Sequence, residues 1–502
     1  MRYTPDSVYT LLLSPAWLSS HLFLDPFGLS AAACCFLLYN LLTVQAFVVS
    51  VYQSFIINSL EAHEIRVYDL IMFKRLAIGL LAAQSVAATR FAMYIDQWHV
   101  NALPEQNQTK GIDTAIMGFA PSKQFNTDSS YKPFEDPETF RKRFGPDTKL
   151  TIAIGGWGDT SGFSEGAKDD ASREKYAKNV AAMLESNGFD GVDIDWEYPG
   201  GNGQDYKEVP NSKKVDEIET YPKFLAAIRK AIGKKTLSIA VPGRKQDFIA
   251  FTKEQGPKIF ESVDYVNVMS YDLINRRDNV TDHHSGVQGS LDTINEYLSI
   301  GAPAEKLNLG FAYYAKWFTT DPESDCEENP LGCKMAKLEE DDGTDNGKSG
   351  AFTFEASSVA EPPKNLKTTT NGKCGFAEGS KCPEGQCCST YGNCGTGDDF
   401  CQAGCLSDYG TCKGLSITDS WRKAQKDGKT DEQGGGQYYF DKDSNIFWTW
   451  DTPAMIARKF KDIVAEKKLG GVMAWSLGED TYKFEHLQAM QKGLESHKAK
   501  EN

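Results

Sequence analysis

From residue 89 onward, short apolar runs alternate with longer helix-like segments such as 176–186 and 221–232. The runs are RFAMYI, DTAIMGFA, KLTIAIGGW, FDGVDIDWE, TLSIAVPG, YVNVMSYD, KLNLGFAYY and, after a long gap, GGVMAWS. Each is nearly continuous in apolar residues rather than alternating, which marks strands covered on both faces, and helices between such strands imply a parallel sheet. Eight of them predict a closed α/β fold, the (β/α)8 TIM barrel, whose chemistry sits at the carboxyl ends of the strands.

Upstream, residues 72–88 read MFKRLAIGLLAAQSVAA, with a basic pair at Lys74 and Arg75, an apolar stretch and small residues Val86 and Ala88 placed for cleavage, the form of a secretory signal peptide. Residues 1–71 precede this signal, and 27–60 carry no charge, long enough to span a bilayer. The literal reading of 1–71 is a membrane anchor. The reading preferred on sequence grounds is a mispredicted N-terminal extension with the true start at Met72, because one signal suffices and because setting aside Cys34 and Cys35 leaves an even set of cysteines.

The chain of 502 residues, 40% hydrophobic and 25% charged, can bury a full core. A net charge of -15 argues against nucleic acid or an anionic membrane surface as partner and favours a neutral polymer. Twelve cysteines are unevenly placed, eight of them between Cys374 and Cys412, as in a disulfide-stapled module of an oxidising compartment.

The fourth run ends in DGVDIDWE. Strand side chains alternate, so Asp193, Asp195 and Glu197 project to one side, toward the barrel axis and mouth, interleaved with Val192, Ile194 and Trp196. Carboxylates crowded in a partly desolvated site raise the proton affinity of at least one, which can then deliver a proton to a leaving group. Glu197, nearest the strand end, is the expected acid; the alternatives are an acidic edge or a metal site, and a solvated edge would not interleave its acids with apolar residues in this way.

DGVDIDWE matches the DxxDxDxE signature of glycoside hydrolase family 18, and the chain resembles this chitinase family over roughly residues 89–318 and 438–490. The GG of IAIGGW, Met269-Ser270-Tyr271-Asp272 and Trp475 support the resemblance. It implies that Glu197 protonates the glycosidic oxygen, that Asp195 orients the substrate N-acetyl group, that Asp193 shares a proton or hydrogen bond with Asp195, and that Tyr271 donates to the N-acetyl oxygen. It also places Trp475 beneath the distorted sugar and Met269 and Asp272 in the substrate cleft. Tyr94 and Trp157 are candidates to line that cleft, since aromatic faces stack on pyranose rings, or to serve packing. The seventh run departs from the family pattern, with Ala312, Ala315 and Lys316 where Pro, Gly and Arg are expected.

The gap before GGVMAWS is too long for one connection and holds an inserted module, expected at residues 373–413 between acidic flanks at 319–372 (insertion or linker) and 414–437 (linker), with 438–502 rejoining the barrel. Its spacing, C-x7-C-x4-CC-x5-C-x6-C-x3-C-x6-C, contains no histidine, which favours disulfides over zinc. The first six spacings and CCSTYGNCG resemble the hevein-like, type 1 chitin-binding module. That resemblance implies the bridges Cys374–Cys388, Cys382–Cys394, Cys387–Cys401 and Cys405–Cys412, with Cys326–Cys333 closing a local loop. It also implies sugar contacts by Ser389, Tyr391 and Phe400, with Asn393 replacing one stacking ring. Trp448 and Trp450 are read as wall residues or core. The sequons at Asn107 and Asn279 add little, and Arg276-Arg277 and His283-His284 are read as polar loop groups.

The expectation is a secreted, extracellular or cell-wall-associated monomeric chitinase acting on chitin and chito-oligosaccharides, without metal or cofactor. The alternatives are a chitin-binding protein that has lost catalysis, disfavoured by the intact Glu197, and a hydrolase of the chitobiose core of N-glycans, disfavoured by the inserted module.

Overall fold

The computed structural model describes residues 89–389, 392–401, 405–413 and 416–501. The signal-like segment 72–88, the extension 1–71 and Tyr391 lie outside the described residues. No helix among those described is long and apolar enough to cross a membrane.

Eight parallel strands close a TIM barrel: β1 (Arg90–Asp96), β2 (Thr114–Ala120), β3 (Lys149–Gly155), β4 (Gly191–Asp195), β5 (Thr236–Val241), β6 (Tyr265–Val268), β7 (Leu307–Ala312) and a last strand, Gly471–Trp475, which lies between β7 and β1. The helix-like segments fall inside helices Asp170–Asn187 and Glu217–Ile232. The first is capped by Asp169, whose side chain accepts from the Ser172 amide, and stops at Gly188 in a left-handed conformation that glycine adopts without penalty.

Period-2 alternation divides each strand between two cores. In β1, Phe91, Met93 and Ile95 pack toward the helices, while Ala92 and Tyr94 join Ile116, Ala153, Ala240 and Met473 inside the barrel. In β4 the outward pair is Val192 and Ile194, which leaves Asp193 and Asp195 to the interior. Burying each large outward side chain contributes about 1.5–3 kcal/mol, so the register that points the acids inward is enforced by the apolar residues beside them.

The seventh run differs from the single strand expected. The chain leaves the barrel after Tyr313, whose amide still donates to the Trp475 carbonyl (2.8 Å), and continues as strand Tyr314–Thr319 in a separate five-stranded sheet. There it pairs antiparallel with Ile446–Trp450 on one side and Ser349–Thr353 on the other. Helix Ile417–Asp427, capped by Ser416, lies in the segment expected to be a linker and contributes Trp421 to a second core with Trp317, Phe354, Trp448 and Trp450. Trp448 and Trp450 are thus core, and the run from residue 438 forms a hairpin of this sheet instead of rejoining the barrel directly.

Between these strands the ten cysteines after residue 88 are joined as Cys326–Cys333, Cys374–Cys388, Cys382–Cys394, Cys387–Cys401 and Cys405–Cys412. Around the last four bonds the buried set is little more than the sulfurs, Tyr409 and parts of Leu366, Phe376, Phe400 and Leu406. A core that small needs covalent staples.

Candidate active site

The carboxyl end of β4 is locked in place by two glycines of β3 and its loop. A Cβ on Gly155, which has φ +109, would lie 2.2 Å from the Asp195 carbonyl oxygen, and the Gly156 amide donates to that same oxygen at 2.9 Å. The GG pair is therefore what lets the acid-bearing strand end approach its neighbour.

Asp193 is wholly buried and accepts from Tyr94 Oη (2.8 Å), Ser238 Oγ (2.6 Å) and Asn267 Nδ2 (3.1 Å). Burial pushes its carboxyl up to about 6, and the three donors restrain the rise. Asp195 is buried with Oδ1 lacking a hydrogen-bond partner among the described residues, and burial together with the charges of Glu197 and Asp193 holds its proton affinity well above the usual range. Burial likewise pushes Glu197 up to about 7; a hydrogen bond from Tyr198 opposes this, and the charges of Asp272 and Asp247 add to it. An acid tuned this way keeps its proton near neutral pH.

These groups open on a cleft of about 630 Å³ at the barrel mouth, shared by Asp195, Glu197, Tyr271 and Trp475. Tyr271 is buried, and among the described residues its hydroxyl has only the Met473 sulfur at 4.0 Å as a partner, so it remains available to a ligand. Trp475 stacks on Phe119 (5.4 Å) and tilts against Tyr94 (5.7 Å), which fixes its ring at the floor. Met269 lines the same floor. Asp272, at φ +52, accepts from Tyr314 Oη (2.8 Å) and lies 3.1 Å from Lys316 Nζ and 3.6 Å from His284 Nδ1. Burial works to raise its carboxyl, but Lys316 and these neighbours hold it well below the ordinary range. Trp157 stands 50% exposed at the rim.

Several cleft residues were read from sequence only as polar loop groups, or, like Trp98, not at all. The Arg277 guanidinium lies 3.8 Å over the Tyr206 ring and 5.5 Å from the Trp157 ring, against the loops after β4 and β3, while Arg276 bonds Glu339 at 2.6 Å and ties the loop after β6 to the inserted segment. Trp98 is 65% exposed at the mouth. The histidine pair is buried rather than a polar loop: His283 meets Thr449 (3.2 Å) and Asp431 (3.1 Å), and His284 lies beside Asp272 and Tyr314. The inserted sheet covers this loop with partners more than a hundred residues away, beyond any local pattern.

Asp96, His99 and Glu479 place ligand-type atoms within 4.8 Å of one another. Asp96 Oδ1 already accepts from the Trp98 and His99 amides and from His99 Nδ1, and Oδ2 from Ser476. Burial pulls the His99 imidazole down, yet Asp96, Glu479 and Glu355 push it up to about 9, so the imidazolium is itself the cation of this cluster. In the cysteine-rich module Ser389 is buried with its hydroxyl accepting from the Asn393 amide (3.3 Å), Asn393 Oδ1 accepts from Lys373 (2.7 Å), and the half-buried Phe400 ring covers Gly395.

A sequence profile of Glycosyl hydrolases family 18 matches residues 90–480, and the chain belongs to that family. Chitinase A1 of Niallia circulans is 31% identical over 205 residues, 35% of this chain and 28% of that protein. Endochitinase 1 of Metarhizium robertsii is 31% identical over 190 residues, 35% of this chain and 43% of that protein. The matched stretches thus span less than half the length of these relatives. Among solved structures, catalytic domain 2 of the Group II chitinase from Ostrinia furnacalis superposes with a TM-score of 0.57 at 19% identity, covering 82% of this chain and 97% of that one, a likeness of fold.

Proposed function

We propose that the protein is a secreted chitinase that hydrolyses β-1,4 bonds between N-acetylglucosamine units with retention of configuration, the substrate supplying its own nucleophile. The observation that carries this reading is Asp195 and Glu197, both of raised proton affinity and backed by the buried Asp193, opening on a cleft with Tyr271 and Trp475. Glu197 gives its proton to the glycosidic oxygen while the N-acetyl carbonyl oxygen attacks the anomeric carbon from within the same sugar, so the leaving alcohol departs as a cyclic oxazolinium forms. Asp195 accepts from the amide N–H, and Tyr271 directs the carbonyl oxygen by hydrogen bonding. Glu197, now a carboxylate, takes a proton from water as that water opens the ring from the face the leaving group vacated.

The disulfide-stapled module is read as a type 1 chitin-binding unit that retains the enzyme on insoluble chitin, with weak grip because Asn393 stands in place of a ring. The secreted reading is supported by the signal-like residues 72–88 and by the five disulfides, a usage typical of oxidising compartments.

The test is product release from insoluble chitin and from chitotetraose by residues 89–502, with Glu197→Gln alongside. Loss of about 100-fold to 10,000-fold in the variant, with chitin pull-down intact, is the expected result. A wild-type protein that binds chitin and releases nothing would make this chain a lectin.

A further inference from the structure

A row of polar side chains runs through the barrel interior from its closed end to the carboxylates, and the hydrolase reading gives it no role. We propose that Arg90, Asn308 and Asn267 form a directional hydrogen-bond chain that aims amide donors at Asp193, making all three positioning residues for the Asp193–Asp195 pair; this rests on the reading of the pair as part of a hydrolase.

The direction is set at the far end. Arginine carries only donors, and Arg90 Nε donates to Asn308 Oδ1 at 3.0 Å. The Asn308 carbonyl therefore faces Arg90, and its Nδ2 donates onward to Asn267 Oδ1 at 2.9 Å. That in turn commits Asn267 Nδ2 to Asp193 Oδ1 (3.1 Å) and to Tyr94 Oη (3.0 Å). Tyr94, having accepted from Asn267, gives its own hydrogen to Asp193 Oδ2 (2.8 Å), and Ser238 donates to Oδ1 (2.6 Å). The two ends of a carboxamide differ little in shape, so without a fixed donor an asparagine can turn over. Reversed, Asn267 would present an oxygen to Asp193, and two acceptors would face each other unless Asp193 took up a proton.

The strand register shows that the chain is built in. Asn267 and Asn308 are paired across β6 and β7, and Gly471 stands between Asn308 and Arg90 in the register of the last strand. A Cβ at Gly471 would lie 2.3 Å from Asn308 Oδ1 and 2.7 Å from Arg90 Cβ, so the bond between them exists because that position has no side chain. Arg90 is further held by the Glu305 carbonyl (2.6 Å) and by the Tyr265 ring at 5.3 Å.

Asp193 is thus ringed by donors, which favours its carboxylate form, while Asp195 Oδ1 has none. The proton held by the pair is thereby assigned to Asp195, the residue that must change partners during the reaction. The titratable groups within electrostatic reach of Asp193 are Asp195 on its own strand, Tyr94 on β1, Tyr265 on β6 and Tyr221 on the helix behind β4. Arg90 faces Tyr265, Asp113, Asp264 and Glu305.

The test compares pH profiles of kcat/KM on chitotetraose for the mature enzyme and for Arg90→Met, Asn308→Leu and Arg90→Lys, with the Asp193 carboxyl followed by carbon-13 NMR. Losing the aimed donor disfavours the ionised form, so the acidic limb and the Asp193 titration move to higher pH by about one unit in the first two variants. Arg90→Lys, which keeps a donor, should retain the wild-type limb. Folding is checked by circular dichroism; if Asn308→Leu fails to fold, Asn308→Ser and Gly471→Ala replace it with the same expected shift. Folded variants whose limb and Asp193 titration stay at the wild-type position overturn the chain. A wild-type enzyme without turnover would instead defeat the hydrolase reading, and the NMR titration would still decide on the chain.

Discussion

Lys316 lies 3.1 Å from Asp272, reaching it from the strand that carries the chain out of the barrel. The family pattern led to an arginine at this position, and the lysine fills it with a point charge instead of a planar fork. Asp272 sits in the cleft, so the pair holds a carboxylate ready for a sugar hydroxyl while Tyr314 occupies its other oxygen. Replacing Lys316 with Met should lower kcat/KM on chitotetraose about tenfold, mainly through KM, and Lys316→Arg should restore most of it; steady-state kinetics reads both.

Glu197 sets the alkaline side of the pH profile. Its carboxyl is pushed up to about 7 by burial, and the protonated form is the active one. Activity should therefore be present below about pH 7 and fall about tenfold for each unit above it. A profile of kcat/KM that stays flat to pH 9 would remove Glu197 from the role of acid.

Tyr271 offers a separation of activity from stability. Because its hydroxyl has, among the described residues, only a sulfur contact at 4.0 Å, Tyr271→Phe removes little that holds the fold. Activity should drop about 10-fold to 100-fold, the range of one hydrogen bond to a developing charge. The thermal midpoint should move by no more than about a degree, and a large fall in that midpoint would count against the assignment.

Trp421 holds the inserted sheet together. It is 2% exposed and stacks on Phe354 at 5.3 Å, with Trp448 and Trp450 at 5.0 and 5.1 Å. Trp421→Ala should destabilise this region by about 3–5 kcal/mol, seen as earlier proteolysis between β7 and the last strand. Fragments cut first within the barrel would contradict a separate core.

The cysteine-rich module should be separable from turnover. Mild reduction and alkylation should abolish retention on insoluble chitin, since four bonds stand in for an apolar core there. Chitotetraose cleavage should persist, and its parallel loss would show that the module also shapes the cleft.

The barrel was legible because its signals are local: apolar runs of strand length and helix-like segments between them. The inward placement of Asp193 and Asp195 could likewise be read from alternation with Val192 and Ile194. What could not be read depends on pairing at long range. Tyr314–Thr319 and Ile446–Trp450 each look like ordinary barrel strands, and only their mutual pairing shows that they belong to another sheet. The burial of His284 beside Asp272 follows from the same sheet. Asn267, Asn308 and Arg90 were invisible because each is one polar residue within a strand, and their meaning lies in register across four strands.

The strands that leave and return to the barrel lie side by side, and the Thr320 amide donates to the Asn445 carbonyl at 2.8 Å. Everything between those two residues is a loop whose ends are already tied. The entropy of closing it is largely met by the strand pair, and it grows only slowly with length. The barrel therefore tolerates change in the length of this loop, and its disulfide-stapled part, which lies between strand Ser349–Thr353 and helix Ile417–Asp427, behaves as a cassette. A lineage could gain, shorten or exchange the disulfide-stapled segment in one step while the carboxylates stay where β4 puts them.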